Sequence, residues 1–489
     1  MLVLIAAALL QPPSILPRFA DKSSLMPGLA NAPAAWGDAN GDGWPDLHCA
    51  GTLYLNTGSG FEPVPVPGAG VGILADLDQD GQADVVSTSP VAVFMNAAAR
   101  GGAPRFERRE LPALPPTVCL AAAAADLNGD GVPDLYFAGY EDWEKQITYP
   151  SFVLLSTAEK KYELAATFAE RRSRGVTACD FDENGTADVY VSNYRLQPNQ
   201  LWINDGTGRL TDAAAERNAL ATSDGFAGGH SIGACWGDFN GDGRFDLFAG
   251  NFAHVDSRGN QPKSRFLRNR GPTPAQGLTP WSFDDLGECG VWYQESYASP
   301  AAADYDNDGR LDLYFTTVYA DASFGKKNHP VLYRNQITSP AATTWAFADD
   351  TSGSGLEQLP PTYQAAWADY DGDGLIDLVT AGRLFRNTSP ARSWLLVRVD
   401  APQPIGTQVR LSLADGRVLT RQVEAGTGQG NSNSPVLHFG LGEHEPDAKV
   451  TLSIRWPDGT TSERTGVSIG QIAVIRPDTK QPAEDAGSR

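Results

Sequence analysis

The chain has 489 residues, a formal net charge of −21 and a pI of about 4.6. It is long enough for more than one domain, and its charge argues against nucleic acid or anionic lipid as a partner. Its 51 glycines and 34 prolines favour many short strands joined by turns over long helices. Five cysteines, an odd number without a C-x-x-C pair, indicate neither a zinc centre nor a dense disulfide framework; Cys179 and Cys235 fit either a bridge between inner strands or buried thiols.

Residues 1–13 open with the apolar run Met1–Leu10 and continue Gln11-Pro12-Pro13. The run is too short to span a bilayer and resembles the core of a secretory signal, although it lacks a basic start. The expected destination is secreted, either extracellular or periplasmic. Phe19-Ala-Asp21 then reads as a strand whose sequence partner is missing.

From Asp38 onward one pattern, D-x-D-x-D-G-x-x-D, recurs seven times. Oxygen-bearing side chains stand at its positions 1, 3, 5 and 9. In order these are Asp38, Asn40, Asp42 and Asp46; Asp76, Asp78, Asp80 and Asp84; Asp126, Asn128, Asp130 and Asp134; Asp180, Asp182, Asn184 and Asp188. The last three sets are Asp238, Asn240, Asp242 and Asp246; Asp304, Asp306, Asp308 and Asp312; Asp369, Asp371, Asp373 and Asp377. Alternate residues of a tight loop can face one ion. Calcium takes six to eight hard oxygens, and a glycine at position 6 permits a sharp turn. The loops are not EF-hands, because position 12 never carries glutamate. Seven structural Ca²⁺ ions would bring the net charge from −21 to about −7.

Loop starts are 38 to 66 residues apart, a period typical of propellers or solenoids. Each loop leads into a strand, as in Asp134-Leu-Tyr-Phe. A variable connection and a second strand usually ending in Asn follow, then a third strand, and then a small-residue strand entering the next loop. Four strands per repeat make a propeller blade. The unpaired strand at Phe19 and the incomplete last repeat ending at Asn387 predict a blade shared by both ends, which closes the ring. The fold class expected is all-β: a seven-bladed β-propeller with calcium loops over 14–390, plus a small β-sandwich over 391–478. A disordered tail is expected at 479–489.

Connections between first and second strands are longest at 140–150, 193–199, 251–264 and 318–330. They carry Tyr140, Trp143, Tyr194, Arg195, Phe252, His254, Tyr319 and His329, aromatic and basic residues suited to a binding face. His230, Glu295, Tyr297 and Tyr363 precede loops and are expected at the same mouth of the channel. Gly229-His-Ser-Ile-Gly233 matches a nucleophile pattern that works on a strand-to-helix turn, whereas here it enters an inner strand. The six histidines lack zinc-protease spacing. No catalytic residue is assigned. The alternative to a binding protein is a lyase, cyclase or hydrolase with its pocket at the channel mouth.

The repeats resemble FG-GAP/VCBS repeats, the calcium-loop blades also found in integrin alpha chains. Ser393-Trp-Leu, Gly406-Thr-Gln-Val-Arg410, Gly426-Thr-Gly-Gln-Gly430, His438-Phe-Gly-Leu-Gly442 and Trp456-Pro-Asp-Gly459 resemble the ASPIC/UnbV domain. Pro404-Ile-Gly406-Thr and Asn431-Ser depart from that domain's usual pattern. The pairing resembles the cartilage acidic protein family. This resemblance implies a secreted, calcium-binding protein linked to matrix or adhesion. The partner expected is an extracellular protein or glycan, and the chain is expected to be a monomer.

Overall fold

The computed structural model describes residues 18–478 except 257–258, 274–276, 326 and 414–415. The expected signal segment and C-terminal tail lie outside the described residues. Among those described, no α-helix forms, and no helix is long and apolar enough to cross a membrane.

Seven four-stranded antiparallel sheets, numbered here as blades 1 to 7 by the loop each carries, follow one another around an axis. Their inner strands touch in succession, and that of blade 7, Ala366–Ala368, returns to that of blade 1, Ala34–Gly37. The inner strands are built of small residues, as in Cys119–Ala125 with the sequence CLAAAAA, because seven strands crowd one axis. Blade 7 is completed from both ends of the ring: Phe19–Asp21 pairs with Arg383–Asn387, Phe19 opposite Asn387. Closure leaves the ring without an open edge between its first and last blades.

Aromatic side chains fill the spaces between blades. Phe266 stacks on Phe347 with ring centroids 4.5 Å apart and meets Phe248 at the same separation. Each such ring withdrawn from water stabilises by roughly 1.5–3 kcal/mol. All five cysteines are free thiols, so Cys179 and Cys235 are packing residues and form no bridge.

Beyond Asn387 the chain forms two further sheets. One holds Ser393–Val399 between Leu437–Gly442 and the parallel strand Ile472–Ile475. The other orders Val418–Gln422, Gln408–Ser412, Lys449–Arg455 and Thr461–Ser468. Leu395, Val397, Val409, Leu411, Phe439, Leu452 and Trp456 form their shared core. Thr461–Ser468 escapes a hydropathy reading because it is a polar edge strand.

These sheets sit on the propeller face that carries the D-x-D-x-D-G loops. Gly442 N–H donates to Asn307 O (2.7 Å), and Val418 N–H to Gly241 O (2.9 Å). Arg410 Nε donates to Gly243 O (2.9 Å), and Arg455 Nε to Asp180 Oδ2 (3.2 Å). The segment 424–434 leaves the sheets and enters the channel. Ser432 exchanges backbone bonds with Ala34 and Trp36 of blade 1, and Ala425 O accepts from Ala124 N–H of blade 3. Gly428 O accepts from Val176 N–H of blade 4 at 3.0 Å, Thr427 Oγ1 donates to Ala234 O of blade 5, and Ser434 N–H donates to Trp367 O of blade 7. Backbone groups facing the axis thus find partners without water. Glycine is required here: a Cβ on Gly426 would lie 2.3 Å from Ala122 O.

Candidate metal loops and the open face

The loops close in a common way, except that in blade 4 the position-9 carboxylate of Asp188 accepts Asn204 N–H (2.9 Å) with one oxygen and leaves the other without a donor. The position-1 carboxylate accepts backbone N–H groups from within the loop, as when Asp38 takes those of Gly41 (2.7 Å) and Gly43 (2.8 Å). The position-6 glycines, from Gly43 to Gly374, have φ between +82° and +93°, a conformation open to glycine. The position-9 carboxylate is a staple. Asp46 accepts Ala39 N–H with one oxygen and Asn56 N–H with the other, both at 2.8 Å. Asp84, Asp134, Asp246, Asp312 and Asp377 repeat this pair of bonds with their own loop and second strand.

The asparagine ending the second strand has a role that sequence reading missed. Its Nδ2 donates to the position-2 carbonyl of the preceding blade's loop: Asn96 to Ala39, Asn204 to Leu127, Asn269 to Phe181, Asn335 to Phe239, Asn387 to Tyr305 and Asn56 to Tyr370. These are latches between neighbouring blades. Blade 3 has Ser156 at this place, which bonds Asp130 within its own loop (3.3 Å). The junction of blades 2 and 3 is held instead by Lys160 donating to Asp78 O and Gln79 to Gly131 O.

The chemistry of the loops suits a hard cation. Three carboxylates bring oxygens within 4.8 Å of one another in the sets Asp76–Asp78–Asp84, Asp180–Asp182–Asp188, Asp304–Asp306–Asp308 and Asp369–Asp371–Asp377. In the other three loops position 3 is Asn. Position-3 oxygens of Asp78, Asn240 and Asp371 are buried without a hydrogen-bond donor, as are Asp180 Oδ1 and Asp188 Oδ2. An acceptor without a donor, buried beside other acceptors, is unfavourable unless a cation fills the space. Burial pushes Asp46, Asp134, Asp238 and Asp369 up to about 7, and Asp76 and Asp180 up to about 6. The donors are all oxygen, so the residues fit a cation of the calcium type.

The long connections gather on the opposite face. Tyr194 meets His230 edge-on (4.8 Å) and Phe252 (6.3 Å), and Phe252 meets His254 (4.4 Å) and Tyr319 (5.7 Å). His254 Nδ1 lies 2.9 Å from Glu295 Oε1, and Ser323 donates to the same carboxylate. Burial would raise Glu295, but the Ser323 and His254 donors hold it below the usual carboxylate range. His230, Phe252 and Glu295 are buried and underpin the face, whereas Tyr319 and Trp143 are 57% and 58% exposed. Arg195 lies over the Trp143 ring at 4.1 Å and pairs with Glu141 at 3.1 Å.

Tyr297 corrects an expectation. It is buried, stacked on Phe315 at 4.0 Å, with its hydroxyl 2.6 Å from that of Tyr333. Side chains alternate along a strand, and this one falls on the side packed between blades rather than at the mouth. Ser231 is likewise structural: its Oγ donates to Asn251 Oδ1 and accepts from Asn199 Nδ2, with Ser173 and Asn193 repeating the contact in blade 4. The channel is not an open passage, since 424–434 fills it from the loop side. Asn431, one of the two departures in the C-terminal motif, accepts from Ala34 and Ala365 N–H and donates to Tyr363 O, bridging blades 1 and 7.

Arg174 went unnoticed in the sequence. It is the extra residue of a bulge between Ser173 and Gly175, and such bulges re-aim side chains. Its guanidinium lies 5.1–5.2 Å from the ring centres of Tyr140, Tyr194 and Tyr363, and Nη2 donates to Tyr363 Oη (3.0 Å). A signal existed. Six residues before each loop stand Ala32, Gly70, Leu120, Arg174, Ile232, Ala298 and Tyr363, and one of these seven is charged.

A closed ring of four-stranded sheets, each with an acidic loop, is a β-propeller. The FG-GAP-like repeat family matches residues 76–137 and 171–249, and the ASPIC and UnbV family matches 400–482. The chain carries FG-GAP-like repeats followed by an ASPIC and UnbV domain. It is similar to cartilage acidic protein 1 of Mus musculus, 25% identical over 378 residues, which covers 73% of this chain and 54% of that protein. The same protein of Xenopus tropicalis is 25% identical over 331 residues (64% and 45%), and that of Homo sapiens 26% over 308 residues (60% and 42%). The chain spans about half the length of these curated relatives. Among solved structures, the Dos1 propeller aligns with a TM-score of 0.34 and 7% identity, over 76% of this chain and 94% of that one.

Proposed function

We propose that this chain is a secreted, calcium-stabilised propeller that binds an extracellular protein or glycan through its open face, with an adhesive or interaction role. The observation that carries this reading is the division of the two faces. The C-terminal sheets cover the acidic-loop face, which leaves the long connections, with Trp143 and Tyr319 exposed, as the surface free to meet a partner. Calcium would be held by positions 1, 3, 5 and 9 of the loops. When bound it supplies positive charge among carboxylates that otherwise repel. The chain's own part is to fix those oxygens with backbone donors and to tie each loop to the second strand.

The motif residues of the C-terminal part support the same division. Gln408, Arg410 and Gly442 touch the loops of blades 4, 5 and 6, and His438 Nε2 stands 3.1 Å from Gly374 O in blade 7. These residues seat the C-terminal sheets on the loop face. The test is binding of the full chain to glycan and matrix-protein arrays in calcium, against variants Trp143→Ala and Tyr319→Ala. Loss of binding with an unchanged melting temperature is expected. Unchanged binding by both variants would overturn the choice of face.

A further inference from the structure

We infer that the mouth of the channel on the open face is a carboxylate-binding site for a uronic-acid-containing glycan, with Arg174 as its charged anchor. This rests on the proposed binding role of that face and names the ligand class.

Charge is the first argument. The chain is strongly acidic, yet this mouth gathers Arg172, Arg174 and Arg195, while its carboxylates are taken up, Glu141 by Arg172 (2.7 Å) and Arg195 (3.1 Å) and Glu295 by His254 and Ser323. Arg174 has no carboxylate partner among the described residues. Its positive charge is met by three tyrosine faces and one phenolic oxygen, and its Nε is buried without a hydrogen-bond partner. Rings stabilise a guanidinium but leave its in-plane donors unsatisfied. A carboxylate accepts from such a fork with short charge-assisted bonds.

Pre-organisation is the second argument. Tyr140, Tyr194 and Tyr363 come from blades 3 and 4 and from the segment entering blade 7, so the cage exists only in the closed ring. Its floor is the inserted segment: Gly428 lies against Gly175, the residue after Arg174.

The surface around Arg174 suits a glycan better than an acidic peptide. Ile232, Phe252 and Ala298 fill the apolar part of the mouth by packing on one another. What remains exposed are ring faces, Trp143 and Tyr319, and the half-buried His254 imidazole beside Phe252. Sugar rings offer C–H faces to stack on aromatics and hydroxyls to hydrogen-bond.

The test is calorimetric titration of the full, calcium-loaded chain with four probes: an oligogalacturonate, its methyl ester, a neutral oligosaccharide of equal length, and poly-glutamate. The free acid is expected to bind, and esterification or Arg174→Gln to weaken it by ~10-fold or more, the scale of one charge-assisted bond. Arg174→Lys, which keeps charge but loses the fork, should recover part of the loss. Melting temperatures control for folding. Should Arg174→Gln fail to fold, Arg195→Gln at the rim replaces it, with a smaller loss expected. Equal binding of acid and ester, no binding of the acid, or an unaffected Arg174→Gln would overturn the inference. Tighter binding of poly-glutamate would replace it with a peptide site. Binding of the neutral sugar alone, sensitive to Trp143→Ala, would sink the carboxylate site while the binding face stood.

Discussion

The two faces of the propeller obey opposite rules. On the acidic-loop face one nine-residue pattern is used seven times, and each loop makes nearly the same bonds. On the open face no two connections match, and each aromatic residue there has its own neighbours. Repetition marks what the ring needs to exist, and variation marks what one ring can do that another cannot. Damage to the repeated face should therefore cost stability, and damage to the open face should cost binding with little loss of stability.

The largest expected effect is calcium removal. A site held at 100 times its dissociation constant contributes roughly 2.7 kcal/mol. Several such sites exceed the 5–15 kcal/mol typical of a whole domain, so a chelator should lower the melting temperature by tens of degrees or unfold the ring. The C-terminal sheets should loosen with it, because the loops are their seat. Thermal melts with and without chelator, read beside limited proteolysis, check both. An unchanged melt would break the comparison at its root.

The second effect is a reversal with pH. Loop carboxylates such as Asp46 and Asp134 are raised by burial from 3.8 to about 7. The folded chain therefore holds protons that the unfolded chain has released, and stability falls as pH rises through that window. Chelated protein should be more stable at pH 5 than at pH 8. With calcium the order should invert, since metal competes with those protons and binds better as they leave. Melts at both values in both states test the sign.

How much of this was legible beforehand follows the same division. The loops, the small inner strands and the blade shared by Phe19–Asp21 and Arg383–Asn387 repeat or complete a period, so they could be read from the chain. Tyr297 was misplaced because a bulge in its strand shifts the alternation by which a side chain is assigned to a face. Arg174 was passed over for a related reason: its meaning lies in three tyrosines distant in sequence. The insertion of 424–434 into the channel was invisible, since a glycine-rich run says that backbone approaches closely but not what it approaches.

A third variant separates the faces by stability alone. Asn335→Ala removes donors to Phe239 O and Leu311 O, both buried, and should cost roughly 2 kcal/mol. Tyr319→Ala, on an exposed ring, should stay within about 0.5 kcal/mol in the same denaturant titration. Comparable losses would mean that the open face also holds the ring together.

The smallest expected effect tests whether repetition itself stabilises. Six blade junctions carry the asparagine latch, and Ser156 stands where the seventh would be. Its backbone N–H is already stapled to Asp134 Oδ1 at 2.6 Å, as its counterparts are. The strand is therefore in register for the longer side chain. Ser156→Asn would give up the weak bond to Asp130 and aim an amide at Leu77 O, the carbonyl equivalent to those the other latches use. One added buried hydrogen bond is worth about 1 kcal/mol, so a rise of a few degrees in melting temperature is expected. A fall would show that Lys160 and Gln79, which hold this junction now, need the space the serine leaves. The junction would then be a specialised seam between blades 2 and 3.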